Sequence, residues 1–369
     1  MSFADQFHLP EGRYLLSHSV GCLPKPASQS LENGFLQPWS TGGGAAWPAW
    51  LQTIEGFCEE LSGLFDVQAA DICPQQNVSA GFANYLGALP REGRTKVVMH
   101  ADAFPTMGFV VKSLQAAGLE LVLIDEAEHA DATDVWAKHL DETVLAALVT
   151  HVHSNTGVVS PVKEIADLCR AQGVRTAVDI AQSVAIVPVQ PIHWGVDAVF
   201  GSCVKWLCGG PGAGYLWIDP DHAKTLQPPH VGWFSHADPF EFDIRSFTPA
   251  TGARRFWGGT PSVAPYAVAR AAIKTLRTIG LDRVRGHNLT LKNIAVAGLE
   301  GAGLTARAAD VSGGTLCLKM GPKVDQFAGL LEKEGCHFDR RGSTIRISFH
   351  IFNTEDDARL VNRLLKSLY

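Results

Sequence analysis

The fold of this chain is decided by a short stretch around one lysine, Ser202-Cys203-Val204-Lys205-Trp206-Leu207. The apolar run 196–200 precedes it and predicts a strand. A glycine-rich run, Gly209-Gly210-Pro211-Gly212-Ala213-Gly214, follows it and leads into another apolar segment. The sequence therefore places Lys205 just after the end of one strand and close to the start of the next.

A carboxylate at an earlier strand end makes this lysine informative. Asp179 closes the apolar run Thr176-Ala177-Val178. Pyridoxal phosphate (PLP) requires such a pair, because the lysine binds its aldehyde as a Schiff base and the aspartate keeps its ring nitrogen protonated. Either residue alone is more typical of a solvated surface. The ordered pair, with the glycine-rich segment behind it, predicts a PLP site.

Apolar runs and helical patterns alternate through the first two thirds of the chain, which predicts an α/β fold with a mainly parallel sheet flanked by helices. Predicted strands are 96–100, 119–124, 145–150, 175–178, 196–200 and 213–218. From about Pro261 the pattern becomes that of a smaller α+β unit. We expect a large domain over 21–258, a small C-terminal domain over 259–369, and an N-terminal arm, 1–20, that joins the small domain.

Composition excludes several classes of protein. The 369 residues are 46% hydrophobic and 18% charged, with a net charge of -6, which gives no basic surface for nucleic acid. The sequence has neither a run of 18 apolar residues nor a signal peptide, and its eight cysteines have no paired spacing. We therefore expect a cytoplasmic protein with reduced thiols and no membrane partner. The fourteen histidines show no zinc spacing, and no metal is expected.

Three further candidates each have a structural alternative. Gln76 and Asn77 precede a helical pattern, so they could bind a phosphate at its N-terminus or simply cap the helix. Phe104 follows a strand and could stack on a cofactor ring or belong to the core. Arg346 lies in an apolar-flanked strand, where it could bind a substrate carboxylate or form an internal salt bridge.

Several motifs together resemble the class V, fold-type I PLP enzymes, and kynureninases most closely. The resemblance runs nearly from end to end of the chain. It is carried by segments that follow the family's order: Tyr14-Leu15-Leu16, Ser19-Val20-Gly21, Ala103-Phe104-Pro105, Asp179-Ile180-Ala181-Gln182, Trp194-Gly195-Val196-Asp197, Lys205-Trp206-Leu207, Gly209-Gly210-Pro211-Gly212, Gly232-Trp233-Phe234-Ser235-His236, Gly259-Thr260-Pro261, and Asp339 to Arg346 with Asn353-Thr354.

This resemblance implies a role for each candidate and a homodimer with sites at the subunit interface. Lys205 would bind the cofactor covalently, and Arg346 would bind the α-carboxylate of a small amino-acid substrate, with His18 nearby. The implied cofactor-binding residues are Asp179 at the ring nitrogen, Phe104 on the ring, Gln76, Asn77 and Ser202 at the phosphate, Gln182 and Trp233 near the cofactor, and Thr260 at the phosphate of the neighbouring subunit.

Departures from kynureninases lie in the parts that act on the substrate. Val204 replaces the tyrosine before the lysine, Gln182 replaces a histidine, Met107 an acidic residue and His18 an asparagine. The similarity ranks a kynureninase-like hydrolase or lyase first, ahead of a class V aminotransferase or a β-eliminating lyase. A cysteine desulfurase would need a reactive thiol, but Cys336 is predicted to enter a strand. A nucleotide-binding module and a catalytically inactive PLP sensor are the non-enzymatic alternatives.

Overall fold

The computed structural model describes residues 3–125, 129–304 and 312–369. Its strands are β1 (Phe7–His8), β2 (Arg13–Tyr14), β3 (Leu23–Pro24), β4 (Ile72–Gln75), β5 (Lys96–His100), β6 (Glu120–Ile124), β7 (Val144–Thr150), β8 (Arg175–Asp179), β9 (Ala198–Ser202), β10 (Gly214–Ile218), β11 (Thr315–Lys319), β12 (Cys336–His337), β13 (Asp339–Arg341) and β14 (Thr344–Ser348).

Helices cover both faces of the larger sheet and one side of the smaller one. They are α1 (Pro26–Leu31), α2 (Gln37–Gly42), α3 (Trp47–Phe65), α4 (Val78–Ala88), α5 (Pro105–Ser113), α6 (Thr133–Ala137), α7 (Val162–Ala171), α8 (Pro191–Trp194), α9 (Pro220–Ala223), α10 (Ala264–Ile279), α11 (Leu281–Val296), α12 (Val324–Lys333) and α13 (Glu355–Lys366). None of the helices within the described residues combines the length and the apolarity that crossing a bilayer requires.

The larger sheet has the strand order β4-β10-β9-β8-β7-β5-β6. Strand β10 runs antiparallel to both β4 and β9, whereas the other neighbours pair in parallel. Every residue of β7 is buried, as expected for a parallel strand with helices on both faces. The predicted α/β fold with a mainly parallel sheet is therefore confirmed.

Two apolar clusters fill the space between this sheet and its helices. Residues of α4 and α5, such as Phe82 and Val111, pack on one face. Residues of α3, α7 and α10, such as Phe57, Ile165 and Ile273, pack on the other. The layers hold the carboxyl ends of β5, β7, β8 and β9 at one edge of the sheet, where ligands bind in folds of this kind.

The C-terminal part of the chain forms a smaller antiparallel sheet, β11-β14-β13. Helices α11, α12 and α13 pack on it around a third apolar cluster, which also includes Leu15. The N-terminal segment reaches this part of the molecule, since β2 pairs in parallel with β12. Helix α10, in contrast, packs against α1 and α3. The boundaries at residues 20 and 258 stay predictions.

Strand β4 was not predicted from the sequence. Its four residues, Ile72-Cys73-Pro74-Gln75, include a proline, which cannot donate a ladder hydrogen bond. The structure accommodates Pro74 because β4 lies at the edge of the sheet. Only the antiparallel pairing with β10 identifies this segment as a strand.

Candidate active site

Lys205 and Asp179 line one cavity at the carboxyl edge of the larger sheet. Asp179 is the last residue of β8, and the neighbouring β9 ends at Ser202, three residues before Lys205. Both side chains contribute to the wall of a cavity of about 220 Å³. The carboxylate of Asp179 accepts a hydrogen bond from the main-chain N–H of Ala181 over 2.8 Å. The parallel sheet thus brings together Lys205 and Asp179, as the sequence predicts.

Burial shifts the proton affinities of these two groups in opposite directions. Burial raises the pKa of Asp179, and the nearby Lys205 partly offsets that rise. Burial lowers the pKa of Lys205; the carboxylate of Asp179 opposes this shift, whereas the guanidinium groups of Arg346 and Arg341 add to it. The ammonium form of Lys205 is therefore disfavoured, which suits this amine to accept a proton.

Phe104 presents an aromatic ring to this cavity. It precedes α5 in extended conformation, and 43% of its surface is exposed. The Nζ atom of Lys205 lies 5.6 Å from the centroid of its ring. Phe104 does not adopt the core position that the sequence left open, and its ring is available to stack on a planar group.

The start of α4 forms the rim of the cavity. Asn77 caps this helix, since its Oδ1 atom accepts a hydrogen bond from the N–H of Ala80 over 2.9 Å. The hydroxyl groups of Ser79 and Thr106 are hydrogen bonded to each other over 2.8 Å and also line the cavity. A side chain at Gly214 would come within 2.8 Å of the Asn77 backbone, so β10 requires glycine here. A helix N-terminus with adjacent hydroxyls suits an anionic group such as a phosphate.

Gln76 and Thr260 line a second cavity, of about 610 Å³, together with Gly258 and Gly259. The indole N–H of Trp233 donates a hydrogen bond to the hydroxyl of Thr260 over 3.2 Å. Neither Gln76 nor Thr260 is among the residues lining the Lys205 cavity, whereas Ser202 is. Within one chain, Gln76, Thr260 and Trp233 are thus not part of the lining of the Lys205 cavity, although Gln76 directly precedes Asn77 of that lining.

His18 and Gln182 join the N-terminal segment to the cavity wall. Gln182 lines the cavity, and its amide nitrogen donates a hydrogen bond to the main-chain oxygen of His18 over 3.0 Å. Its amide oxygen accepts a hydrogen bond from the indole N–H of Trp206 over 3.2 Å. The ring of His18 is buried, with Nδ1 2.9 Å from the hydroxyl oxygen of Ser348. Protein groups therefore hold both side chains in place.

Arg346 forms the internal salt bridge that the sequence left as an alternative. Its guanidinium group donates to both carboxylate oxygens of Asp339, with an Nε–Oδ1 distance of 2.6 Å. Its Nη1 donates to the main-chain oxygen of Ser154 over 2.9 Å. Three of its five N–H donors are thereby engaged, which leaves two for a substrate carboxylate. Arg346 itself is 2% exposed and is not among the residues lining the Lys205 cavity, but it contacts the cavity wall through Ser154.

Four polar residues at or next to the cavity have no individual role predicted from the sequence: Thr150, Asn155, Asp339 and Arg341. Nη1 of Arg341 donates to Oδ1 of Asn155 over 2.6 Å. The Thr150 hydroxyl lines the cavity, is buried, and has no hydrogen-bond partner among the described residues. Segments 150–157 and 339–346 are polar or family-like in sequence, but only the tertiary contact between them identifies which side chains meet.

These residues fit a pyridoxal phosphate molecule. The cavity combines an amine, a buried carboxylate and an exposed aromatic ring from Lys205, Asp179 and Phe104 with a helix N-terminus for a phosphate. The unpartnered hydroxyl of Thr150 offers a further hydrogen bond to a polar ring substituent. Across 3–125, 129–304 and 312–369, no three His, Cys, Asp or Glu side chains are grouped so that they could hold a metal ion.

All eight cysteines are free, and seven of them are buried. Cys336 begins β12, where it pairs with Arg13 of β2. Cys317, on β11, is partly exposed and lies opposite Arg346. Burial raises the pKa of each of these two thiols to about 11. Neither has the thiolate character that a nucleophilic cysteine needs.

Comparison with known proteins gives consistent results. The model of the aminotransferase class-V family matches residues 82–361. The uncharacterized aminotransferase YcbU of Bacillus subtilis (strain 168) is 27% identical over 348 residues, which cover 94% of this chain and 91% of that protein. The kynureninase of Deinococcus radiodurans is 29% identical over 305 residues, covering 80% of this chain and 73% of the enzyme.

Two solved structures of the protein C-DES have the same fold at 24% sequence identity. A lysine-to-alanine mutant of C-DES, with glycine covalently linked to its PLP cofactor, superposes with a TM-score of 0.87 and covers 99% of both chains. The other structure shows this cystine C-S lyase in complex with its reaction product, cysteine persulfide; its TM-score is 0.85, with 96% of this chain and 98% of that chain covered.

Proposed function

Since the chain belongs to the aminotransferase class-V family, and is thereby a PLP-dependent enzyme, we propose that it is a lyase that eliminates a group from Cβ of a small amino acid. When bound, the cofactor supplies the aldehyde that captures the substrate amine and the ring that accepts electrons from Cα. The residues of the chain bind the substrate, orient it and move its protons.

One observation favours a reaction that needs only a single proton-transfer group. Among the described residues that line the 220 Å³ cavity, Lys205 and Asp179 are the only ionisable side chains. Asp179 is committed to the cofactor ring nitrogen in the proposal, so Lys205 is left as the group that transfers protons. Val204 and Met107 contribute apolar wall where kynureninases have a tyrosine and an acidic residue.

β-Elimination is compatible with a single proton-transfer group. Lys205 accepts the Cα proton as the amine and can return it to the departing group as the ammonium. With cystine as substrate, the Cβ–S bond breaks and the electron pair leaves on sulfur. The balanced products, after one water is consumed, are cysteine persulfide, pyruvate and ammonium. Cystine as the substrate is supported by C-DES, which shares the fold and is a cystine C-S lyase.

Kynurenine hydrolysis is ranked lower than the sequence similarity suggested. Water must add to the γ-carbonyl group and a proton must reach Cβ, which calls for a second acid near the substrate. Val204 cannot supply one. A desulfurase is also disfavoured, since burial raises the pKa of both Cys336 and Cys317 to about 11. A class V aminotransferase is the second candidate, because proton transfer between two carbon atoms by Lys205 alone would suffice and YcbU bears that name.

Product analysis separates these reactions. The purified holoenzyme is incubated with cystine, with kynurenine, and with alanine plus a keto-acid acceptor, and the products are identified by mass spectrometry. Pyruvate and cysteine persulfide from cystine would support the lyase. Anthranilate from kynurenine, or keto-acid exchange without net elimination, would overturn it in favour of the hydrolase or the aminotransferase. The Lys205→Ala variant should form none of these products.

A homodimer belongs to the same proposal. Thr260 lines a cavity other than the Lys205 cavity and accepts a hydrogen bond from Trp233, as expected if these two residues complete the site of a partner subunit. Large apolar side chains are exposed close to Trp233, including Phe242 and Ile244. Light scattering measures the molar mass in solution and thereby the number of subunits. If the protein is a dimer, Thr260→Ala should weaken cofactor binding. A cytoplasmic location stays a prediction.

A further inference from the structure

Two guanidinium groups lie near the candidate active site, and only one is neutralised. Arg346 is 2% exposed and is bound to both carboxylate oxygens of Asp339. Arg341 is bonded to the neutral side chains of Ser154 and Asn155, and no carboxylate among the described residues lies within salt-bridge distance of it. The positive charge of Arg346, the residue expected to bind a substrate carboxylate, is therefore already balanced by the carboxylate of Asp339.

Asp339 is held as a carboxylate by two neighbours. Burial opposes its ionisation, but interactions with His18 and Arg346 outweigh burial and hold the pKa of Asp339 well below its usual range. Nε2 of His18 lies 3.4 Å from Oδ1 of Asp339. The opposite side of the His18 ring is fixed by the hydroxyl of Ser348 at 2.9 Å. At neutral pH the carboxyl group of Asp339 is consequently ionised, and its negative charge lies directly beside the guanidinium group of Arg346.

We infer that Asp339 limits the strength with which Arg346 binds a substrate carboxylate. It occupies the Nε edge of the guanidinium group, so that an incoming carboxylate must use the donors that remain. Two anions on one guanidinium repel each other, and the second is held less tightly. The inference rests on the proposed function in that an amino acid is the ligand of Arg346.

A substitution that removes the charge of Asp339 distinguishes this role from a purely positioning one, because the two roles predict opposite changes in carboxylate binding. Arg346 is also held by its place in β14, by its burial and by the main-chain oxygen of Ser154. In Asp339→Asn the amide oxygen can still accept one hydrogen bond, so the guanidinium keeps its orientation but loses its counter-charge. Carboxylate binding should therefore become tighter. If Asp339 mainly orients Arg346, binding becomes weaker.

The experiment compares the holoenzyme with its Asp339→Asn and Asp325→Asn variants. Asp325 is a matched control, because it pairs with Arg340, the next residue of β13 after Asp339, at an exposed position. Calorimetry measures the binding of propionate, which requires no chemistry on the cofactor. The visible absorbance of the bound cofactor reports the binding of alanine and of ethylamine, its analogue without the carboxylate.

Asp339→Asn should bind propionate and alanine about tenfold more tightly, and ethylamine no more tightly, while Asp325→Asn behaves as the parent. Unchanged or weaker propionate binding in Asp339→Asn would overturn the inference. If Asp339→Asn does not fold, Asp339→Ser removes the same charge. If propionate responds as expected but neither amine changes the absorbance of the parent, the proposed function fails and the role of Asp339 stands.

Discussion

The side-chain amide of Gln182 donates a hydrogen bond to the main-chain oxygen of His18 and accepts one from the indole of Trp206. This residue is 164 positions from His18 in the chain, yet it joins the N-terminal segment, the cavity wall and the segment that carries Lys205. Kynureninases have a histidine at this position. In this chain Gln182 instead links the N-terminal segment to the segment that carries Lys205 through these two hydrogen bonds.

Gln182→Ala should destabilise the protein by about 1–3 kcal/mol, because it leaves a buried N–H and a buried carbonyl without partners. Urea unfolding of the apoprotein, followed by circular dichroism, measures the change. Gln190→Ala provides the control, since Gln190 is exposed and its removal should change stability by less than about 0.5 kcal/mol. Equal effects of the two substitutions would contradict the linking role of Gln182.

Val204→Tyr should introduce kynurenine hydrolysis. The substitution places a phenol next to Lys205, where it can donate a proton that the apolar wall cannot. A positioned acid contributes on the order of 100-fold or more to a rate, and the release of anthranilate measures the gain. Val204→Phe is the matched control of similar size; a similar gain with phenylalanine would show that the hydroxyl group is not responsible.

Cys336→Ala and Cys317→Ala should keep the rate of cystine breakdown within about twofold of the parent, because neither thiol ionises near neutral pH. Pyruvate formation in a coupled assay gives both rates. Loss of persulfide-forming activity in either variant would mean that a cysteine takes part in sulfur transfer.

Stability should fall as the pH decreases from about 6.5 to about 4. Burial lowers the pKa of His350 to about 4, so in that range the unfolded chain binds a proton that the folded chain does not. The linkage amounts to up to about 3 kcal/mol for this residue. Thermal unfolding between pH 4 and 7 measures the slope. His350→Gln, which can still donate to the main-chain oxygen of Trp206, should reduce this slope without abolishing it, because burial also lowers the pKa values of His151 and His153. An unchanged slope in His350→Gln would contradict the contribution of His350.

Much of the fold was predictable because its signals are local. The six strands predicted for the larger sheet match β5 to β10 with shifts of no more than two residues at their ends, since alternating and continuous apolar runs reflect burial directly. Strand β4 was not predictable from its own residues, as Pro74 opposes it and only its position at the sheet edge permits it.

In the candidate site, too, some features were predictable from the sequence and others depend on tertiary contacts. Phe104 was compatible with either the core or a cofactor surface, and only the structure shows that its ring is exposed near Lys205. Arg346 was compatible with a salt bridge or a substrate, and its pairing with Asp339 arises from the register of β13 against β14. Asp339 itself, the residue that sets the charge at this position, carried no sequence signal of that role.

The sequence by itself determined the α/β class, the cofactor and the pair formed by Lys205 and Asp179, because each depends on residue type and order along the chain. The tertiary structure decided which polar groups meet. The bonds of Gln182 to His18 and Trp206, and those of Arg346 to Asp339 and Ser154, connect residues between 7 and 192 positions apart in the chain. Such contacts are fixed by packing and register, and no local pattern encodes them.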